Sequence, residues 1–184
     1  DPAGFLSLME REGVTRLCSV PTQYRMLLDA DIESYDLSSV RAGIFGGEQM
    51  SEEVLRELQE TVTPTFFSIY SSTEATVVSG LVDRTYERKH NALGGGPSLV
   101  DVRAVRRPES GPPSPDDRID RGEVGELVVK TPGRAERILD DPEQTAATFR
   151  DGWWFTGDMV RKDEDGDLFV VGRTDDMIIS GGIN

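Results

Sequence analysis

A chain of 184 residues, 36% of them hydrophobic and 29% charged, can bury a core as one generous domain or two small ones, and no apolar run in it is long enough for a membrane-crossing helix. A single cysteine, Cys18, and a single histidine, His90, exclude a disulfide framework and metal sites built from several Cys or His ligands, and so sparse a thiol content fits a reducing cytoplasm. The 34 acidic residues against 20 basic ones leave a net charge of −14, a field that repels phosphate backbones and argues against nucleic acid as a partner.

The first 85 or so residues alternate helix and strand. Asp1-Pro2 reads as an N-cap followed by proline at the first helical position, Phe5, Leu6, Leu8 and Met9 form an apolar stripe, and Gly13 stops the helix. Thr15 to Val20 reads as a short buried strand, a helix with Tyr24, Leu27 and Leu28 follows, and Val40 to Phe45 is a second strand running into Gly46-Gly47-Glu48. Ser51 caps a helix whose Val54, Leu55, Leu58 and Val62 keep helical spacing; Thr65 to Tyr70 and Thr76 to Val82 read as further strands. Strand–helix–strand at this interval predicts a parallel sheet with crossover helices.

From about Asn91 the pattern changes to closely spaced strands: Leu99 to Val105, Gly125 to Lys130, Trp153 to Val160 and Leu168 to Gly172. One short helix, Pro142 to Phe149, interrupts them, with Asp141 as its cap and Gln144 three residues on. Pro108 to Asp120 holds four of the ten prolines and reads as a solvated or partly disordered loop. Lys162 to Asp167 has calcium-loop composition without the terminal Glu or flanking helices, so a plain hairpin turn is expected. The fold class expected is therefore α/β, a partial parallel sheet with flanking helices, followed by a mostly antiparallel β-subdomain. The divisions expected from this change of pattern are 1–88 and 89–172.

Three clusters carry chemistry. Phe45-Gly46-Gly47-Glu48 lies at the carboxyl end of a predicted parallel strand, the edge where open α/β sheets bind ligands, and paired glycines let a flat ring or a phosphate approach the backbone; an ordinary strand-to-helix turn has the same composition. Ser68-Ile69-Tyr70-Ser71-Ser72-Thr73-Glu74 puts three hydroxyls before a carboxylate, which suits a phosphate with its magnesium, and offers a tyrosine face to a base; a Ser/Thr-rich loop with a capping Glu is the plainer alternative. The third is Trp154-Phe155-Thr156-Gly157-Asp158 with Gly172 to Asp176 and Ser180-Gly181-Gly182. In it the Asp158 carboxylate is placed either to take both hydroxyls of a ribose or simply to sit in a turn, and Arg173 either to donate to a nucleotide or to pair on the surface.

In order and spacing these clusters resemble the adenylate-forming superfamily: acyl-CoA synthetases, firefly-type luciferases and peptide-synthetase adenylation domains. Ser68 to Glu74 is similar to its Asn-x-Tyr-Gly-x-Thr-Glu motif, Gly125-Glu126-Leu127 to Gly-Glu-Leu, Trp154 to Asp158 to Tyr-Arg-Thr-Gly-Asp, and Gly172 to Asp175 to the motif at the hinge. The resemblance implies that Gly46, Gly47 and Glu48 line the adenine, that Tyr70 stacks on it, and that Ser68, Ser71 and Ser72 belong to the nucleotide site. It implies that Thr73 touches the α-phosphate, Glu74 holds Mg²⁺, Asp158 takes the ribose hydroxyls and Arg173 approaches the same nucleotide. By the same resemblance Gly46 and Ile69 border the acyl pocket, 173–184 is a hinge and the start of a further domain with Asp175 as the hinge residue, and Ser180, Gly181 and Gly182 border the channel for coenzyme A.

Departures from the motifs are Ser68 for Asn, Ser71 for Gly, and Trp154-Phe155 for Tyr-Arg, the last removing a cation near the site. The chain starts at Asp1 without methionine and reads as a piece of a longer protein. The family's phosphate loop is expected before Asp1 and its catalytic lysine after Asn184, so this chain alone is expected not to catalyse adenylation. The implied activity is that of an ATP-dependent acyl-CoA ligase, cytoplasmic and connected with fatty-acid metabolism, with a carboxylic acid, ATP and CoA as small-molecule partners. Asp176 to Gly182 looks more like CoA ligases than like amino-acid adenylation domains, which stay an alternative beside a non-catalytic nucleotide-binding module.

Overall fold

The computed structural model describes residues 1–82, 89 and 91–174. Two compact units divide them, Asp1–Tyr70 with Gly80–Asn91, and Ser71–Ser79 with Ala92–Asn184.

In the first unit α1 (Pro2–Glu12) ends at Gly13, whose left-handed φ of 60° returns N–H groups to the last carbonyls of the helix, the geometry for which glycine has no steric cost. Asp1 occupies the N-cap position without a side-chain hydrogen bond. β1 (Arg16–Ser19), α2 (Pro21–Leu28), β2 (Ala42–Gly46), α3 (Glu52–Thr61) and β3 (Phe66–Ser72) follow, with a 3-10 turn at Ile32–Ser34. β1 pairs β2 and β2 pairs β3, both parallel, as strand–helix–strand spacing requires. The Ser51 hydroxyl accepts the Val54 N–H and caps α3. β4 (Thr76–Val82) follows β3 after the three residues Thr73–Ala75 and completes the order β1-β2-β3-β4.

The core of this unit is built from Leu6 and Met9 of α1, Tyr24 and Leu27 of α2, Val54, Leu55 and Leu58 of α3, and Leu17, Phe45 and Phe66 of the strands. The Tyr24 hydroxyl lies 3.0 Å from the Leu17 carbonyl and 2.9 Å from that of Ile44, so this buried phenol satisfies its donor on the sheet, and burial pushes its pKa well up. Its ring meets Phe66 edge to face at 5.6 Å. The Phe66 ring fills the space above Gly43, its partner on β2, where a Cβ would collide with it.

The second unit is a five-stranded antiparallel sheet of β5 (Asp101–Val105), β6 (Val124–Lys130), β7 (Phe149–Arg150), β8 (Trp153–Lys162) and β9 (Leu168–Arg173), with α4 (Pro142–Thr148) leading into β7. The Asp141 carboxylate caps α4 by accepting the Gln144 N–H at 2.9 Å. β7 is absent from the elements expected from sequence, although Asp151-Gly152 marks it: both residues have positive φ, as a two-residue hairpin loop demands. Lys162–Asp167 is the expected hairpin turn, its Asp163 carboxylate accepting the N–H groups of Asp165, Gly166 and Asp167 at 2.8–3.0 Å. The proline-rich segment is tied down at its far end rather than loose. Ile119 is buried and bonds Ala104, and Arg106 pairs with Asp117, Asp120 and Glu123, because folding back here buries an isoleucine and gives an arginine three carboxylates.

Candidate functional site

In the first unit the candidate residues lie at the carboxyl ends of parallel strands. Gly46, the last residue of β2, is in register with Ile69 of β3, so the two residues assigned to an acyl pocket are cross-strand neighbours. A Cβ on Gly46 would stand 2.5 Å from the Ile69 carbonyl, and this close approach requires glycine. Gly47 turns the chain with φ 84°. The Glu48 carboxylate accepts the Thr22 N–H at 3.0 Å, at the open N-terminus of α2, whose own N-cap is Val20 and supplies no side-chain acceptor. That bond holds the Glu48 carboxyl below its ordinary range and fixes the turn after β2 to the start of α2. Ser68, Ile69 and Tyr70 are half-buried along β3.

The hydroxyl cluster extends the strand rather than beginning a loop after Tyr70. β3 runs on through Ser71 and Ser72, because sheet pairing overrides the weak strand preference of serine, and only Thr73–Ala75 form the connection. These tip residues belong to the second unit. The Ser72 hydroxyl donates to the Glu74 carboxylate and accepts the Glu74 N–H at 3.0 Å, while the Glu74 carbonyl accepts the Ala135 N–H at 2.6 Å. Thr76, next in line, is a β-branched residue at φ 56°, a strained conformation of the kind that persists where surrounding bonds impose it. Among the described residues no three His, Cys, Asp or Glu side chains gather to hold a metal ion. One carboxylate with neighbouring hydroxyls instead fits Mg²⁺, which keeps most of its waters and is completed by phosphate oxygens.

Asp158 stands on a break in the second sheet. β6 and β8 pair Glu126 with Met159 and Val128 with Phe155, so Thr156, Gly157 and Asp158 oppose Leu127 alone. This bulge carries two extra residues and its backbone groups leave the ladder. Side chains satisfy them: the Thr156 hydroxyl donates to the Leu127 carbonyl and accepts the Asp158 N–H, both at 2.9 Å, and the Glu126 carboxylate accepts the Gly157 N–H at 3.3 Å. Gly157 has φ 74°, and its carbonyl accepts the Thr174 N–H at 2.7 Å. On β9, Arg173 is in register with Asp158 and donates to its carboxylate at 2.7 Å, so two residues assigned to one nucleotide are adjacent.

Sequence reasoning missed two members of this neighbourhood. In the sequence Glu126 stands out only as part of the Gly-Glu-Leu motif; it is buried, with its second oxygen 3.6 Å from the Arg107 guanidinium. Arg150 stacks its guanidinium over the Phe155 ring at 3.6 Å, so a cation does stand beside Phe155, delivered by the β7–β8 hairpin that Asp151-Gly152 signals. Asp175, Ser180, Gly181 and Gly182 lie outside the described residues.

Burial raises the Glu126 pKa, opposed by Arg107, the Gly157 N–H and Arg150, with Asp158 adding to the rise. The native state therefore holds this proton more tightly than the unfolded chain does. The stability it contributes is complete below the ordinary value of 4.5 and is lost as pH rises through the higher native value. Glu126→Gln is expected to flatten that limb of the stability profile; an unchanged slope between pH 4 and 7 in urea titrations would show that Glu126 does not set it.

A family model described as AMP-binding enzyme matches residues 1–139. The chain is 34% identical over its whole length to the medium/long-chain-fatty-acid–CoA ligase FadD8 of Mycobacterium tuberculosis and spans 32% of that relative, about a third. Among solved structures it is similar, over its full length, to the O-succinylbenzoate coenzyme A synthetase MenE of Bacillus subtilis in complex with ATP and magnesium ion, with a TM-score of 0.82, 26% identity and 37% of that chain covered. It is also similar over its full length to the amide bond synthetase McbA of Marinactinospora thermotolerans, with a TM-score of 0.84, 29% identity and 36% covered.

Proposed function

Because this chain belongs to the AMP-binding enzyme family, whose model spans residues 1–139, we propose that the protein carrying it is an ATP-dependent acyl-CoA ligase working through an acyl-adenylate. A carboxylate oxygen of the acid attacks the α-phosphorus of ATP, the bond to the β-phosphate breaks, and pyrophosphate leaves. The sulfur of coenzyme A then attacks the acyl carbon, AMP departs with the bridging oxygen, and the thiol proton goes to water. The observation that carries this reading is the Asp158–Arg173 pair, Asp158 on the bulge of β8 and Arg173 opposite it on β9, an anion and a cation fixed side by side that suit the acceptor and donor a ribose and its phosphate need.

In this reading the backbone of Gly46, Gly47 and Glu48 lines the adenine, with the Glu48 side chain holding the turn to α2, and Tyr70 stacks on the ring beside Ser68. Ser71 and Thr73 donate toward phosphate oxygens, Thr73 toward the α-phosphate, while Ser72, whose hydroxyl proton goes to the Glu74 carboxylate, belongs to the nucleotide site by orienting that carboxylate. Bound by Glu74, Mg²⁺ would offset charge on the phosphates. Gly46 and Ile69 border the acyl group. Asp175 keeps the assignment of hinge, and Ser180, Gly181 and Gly182 that of the coenzyme A channel. The main work of these residues is alignment, since acid and triphosphate are anions that repel one another.

The likeness to an amide bond synthetase favours a second reading, in which an amine replaces the thiol as acceptor after the same first step. The test is made on the full-length protein with fatty and aromatic acids. Acid-dependent pyrophosphate release followed by thioester formation with coenzyme A supports the ligase, and amide formation with amines but no thioester supports the second reading. Release of orthophosphate and ADP, or no acid-dependent turnover across the panel, would overturn both.

A further inference from the structure

Glu126 is a buried carboxylate to which the chemistry above gives no task. Full burial of an ionisable group is costly unless it is paired, and this one is held by Arg107 at 3.6 Å and by the Gly157 N–H at 3.3 Å. Arg150 and Asp158 also face it electrostatically. The bond to Gly157 falls in the middle of the β8 bulge. Glycine at φ 74° has little steric preference of its own, so the direction of the residue after it depends on what its peptide groups bond to. Three bonds define that turn: Thr156 to the Asp158 N–H, Gly157 carbonyl to Thr174, and Glu126 to the Gly157 N–H. Glu126 supplies the bond reaching Gly157 from β6, so it ties the bulge to the neighbouring strand.

We propose that Glu126 is a positioning residue for nucleotide binding: through the Gly157 N–H it sets the direction in which the bulge presents Asp158, beside Arg173, to the ribose. The inference rests on the ribose role of Asp158 and adds to it a residue that does not touch the nucleotide. Arg107 keeps the carboxylate in place from its other oxygen, and Thr156 holds the turn independently. Glu126 alone is therefore expected to tune affinity rather than decide folding.

The test measures KM and kcat in pyrophosphate release for ATP and 2′-deoxy-ATP, using the full-length protein with Glu126→Leu, Glu126→Asp, Glu126→Gln, Asp158→Ala and the Glu126→Leu/Asp158→Ala double variant. Losing one charge-assisted bond and the order it imposes should raise the ATP KM in Glu126→Leu roughly tenfold with kcat little changed, and reduce the preference for ATP over 2′-deoxy-ATP. Glu126→Gln keeps an acceptor oxygen and should return KM to within about threefold of the parent. Glu126→Asp keeps the charge but withdraws it from Gly157, so it should shift KM in the same direction as Glu126→Leu and serves where the leucine variant does not fold. The double variant should be no worse than Asp158→Ala, because both changes act on one contact.

A fall in kcat or in folded yield with KM and ribose preference unchanged would make Glu126 merely structural and overturn the proposal, as would full additivity in the double variant. If Asp158→Ala itself left KM and ribose preference untouched, the ribose reading would fail and this inference with it. That outcome is separable from one in which Asp158→Ala acts and the Glu126 variants do not.

Discussion

Asp158→Ala in the full-length protein is expected to weaken nucleotide binding by roughly 2–5 kcal/mol, about 30- to several-thousand-fold. Each hydrogen bond from a ribose hydroxyl to a carboxylate is charge-assisted and worth roughly 1.5–3 kcal/mol, and one carboxylate can accept two of them. The structure adds a reason to expect the upper part of that range. The Asp158 carboxylate is oriented beforehand by Arg173 at 2.7 Å and by a bulge whose backbone groups are bonded to side chains, so little ordering remains to be done on binding. Folding should change little, because the Arg173 side chain that loses its partner is 51% exposed and water can replace the lost contact. Asp158→Asn, which retains one acceptor, should cost less. Calorimetric titration with ATP beside a thermal melt checks both statements; an unchanged dissociation constant would remove Asp158 from the site.

Phe66→Ala is expected to destabilise the protein by about 3–5 kcal/mol, a large part of the 5–15 kcal/mol that usually holds a domain together. Its ring is 3% exposed, meets Tyr24 edge to face, lies 6.5 Å from Phe45, and occupies the space that Gly43 leaves empty on β2. Truncation opens a cavity between strands joined in fixed register, which cannot close around it. Gly43→Ala should cost about 1–3 kcal/mol by overpacking against the same ring. Combined with Phe66→Leu it should cost less than the sum of the two single changes, since the smaller side chain gives the methyl group room. Urea midpoints of the parent, the three single variants and the double variant test this, and strict additivity would show that Gly43 and Phe66 do not share that space. Because β2 and β3 also carry Gly46 and Tyr70, Phe66→Ala should lower nucleotide affinity as well.

What the sequence alone determined was local or strictly periodic. The helix over Pro2–Glu12 follows from its proline and Gly13, the helix over Glu52–Thr61 from Ser51 and the spacing of Val54, Leu55 and Leu58, and the parallel strands from their alternation with helices. The motifs ending at Glu74 and Asp158 were legible for the same reason, since each is a short run with its own order. The tertiary structure decided what depends on partners far along the chain. β3 continues through Ser71 and Ser72 although serine has little strand preference, and the Glu48 carboxylate goes to the N-terminus of α2, 26 residues earlier in the chain. Arg150 comes to rest on Phe155 through a hairpin whose Asp-Gly signal was present but whose outcome depended on pairing. Glu126 is the clearest case: nothing in Gly125-Glu126-Leu127 says that this carboxylate is buried, or that it bonds a peptide 31 residues away. A bulge is a mismatch between two strands, and its position is defined only once both strands are paired.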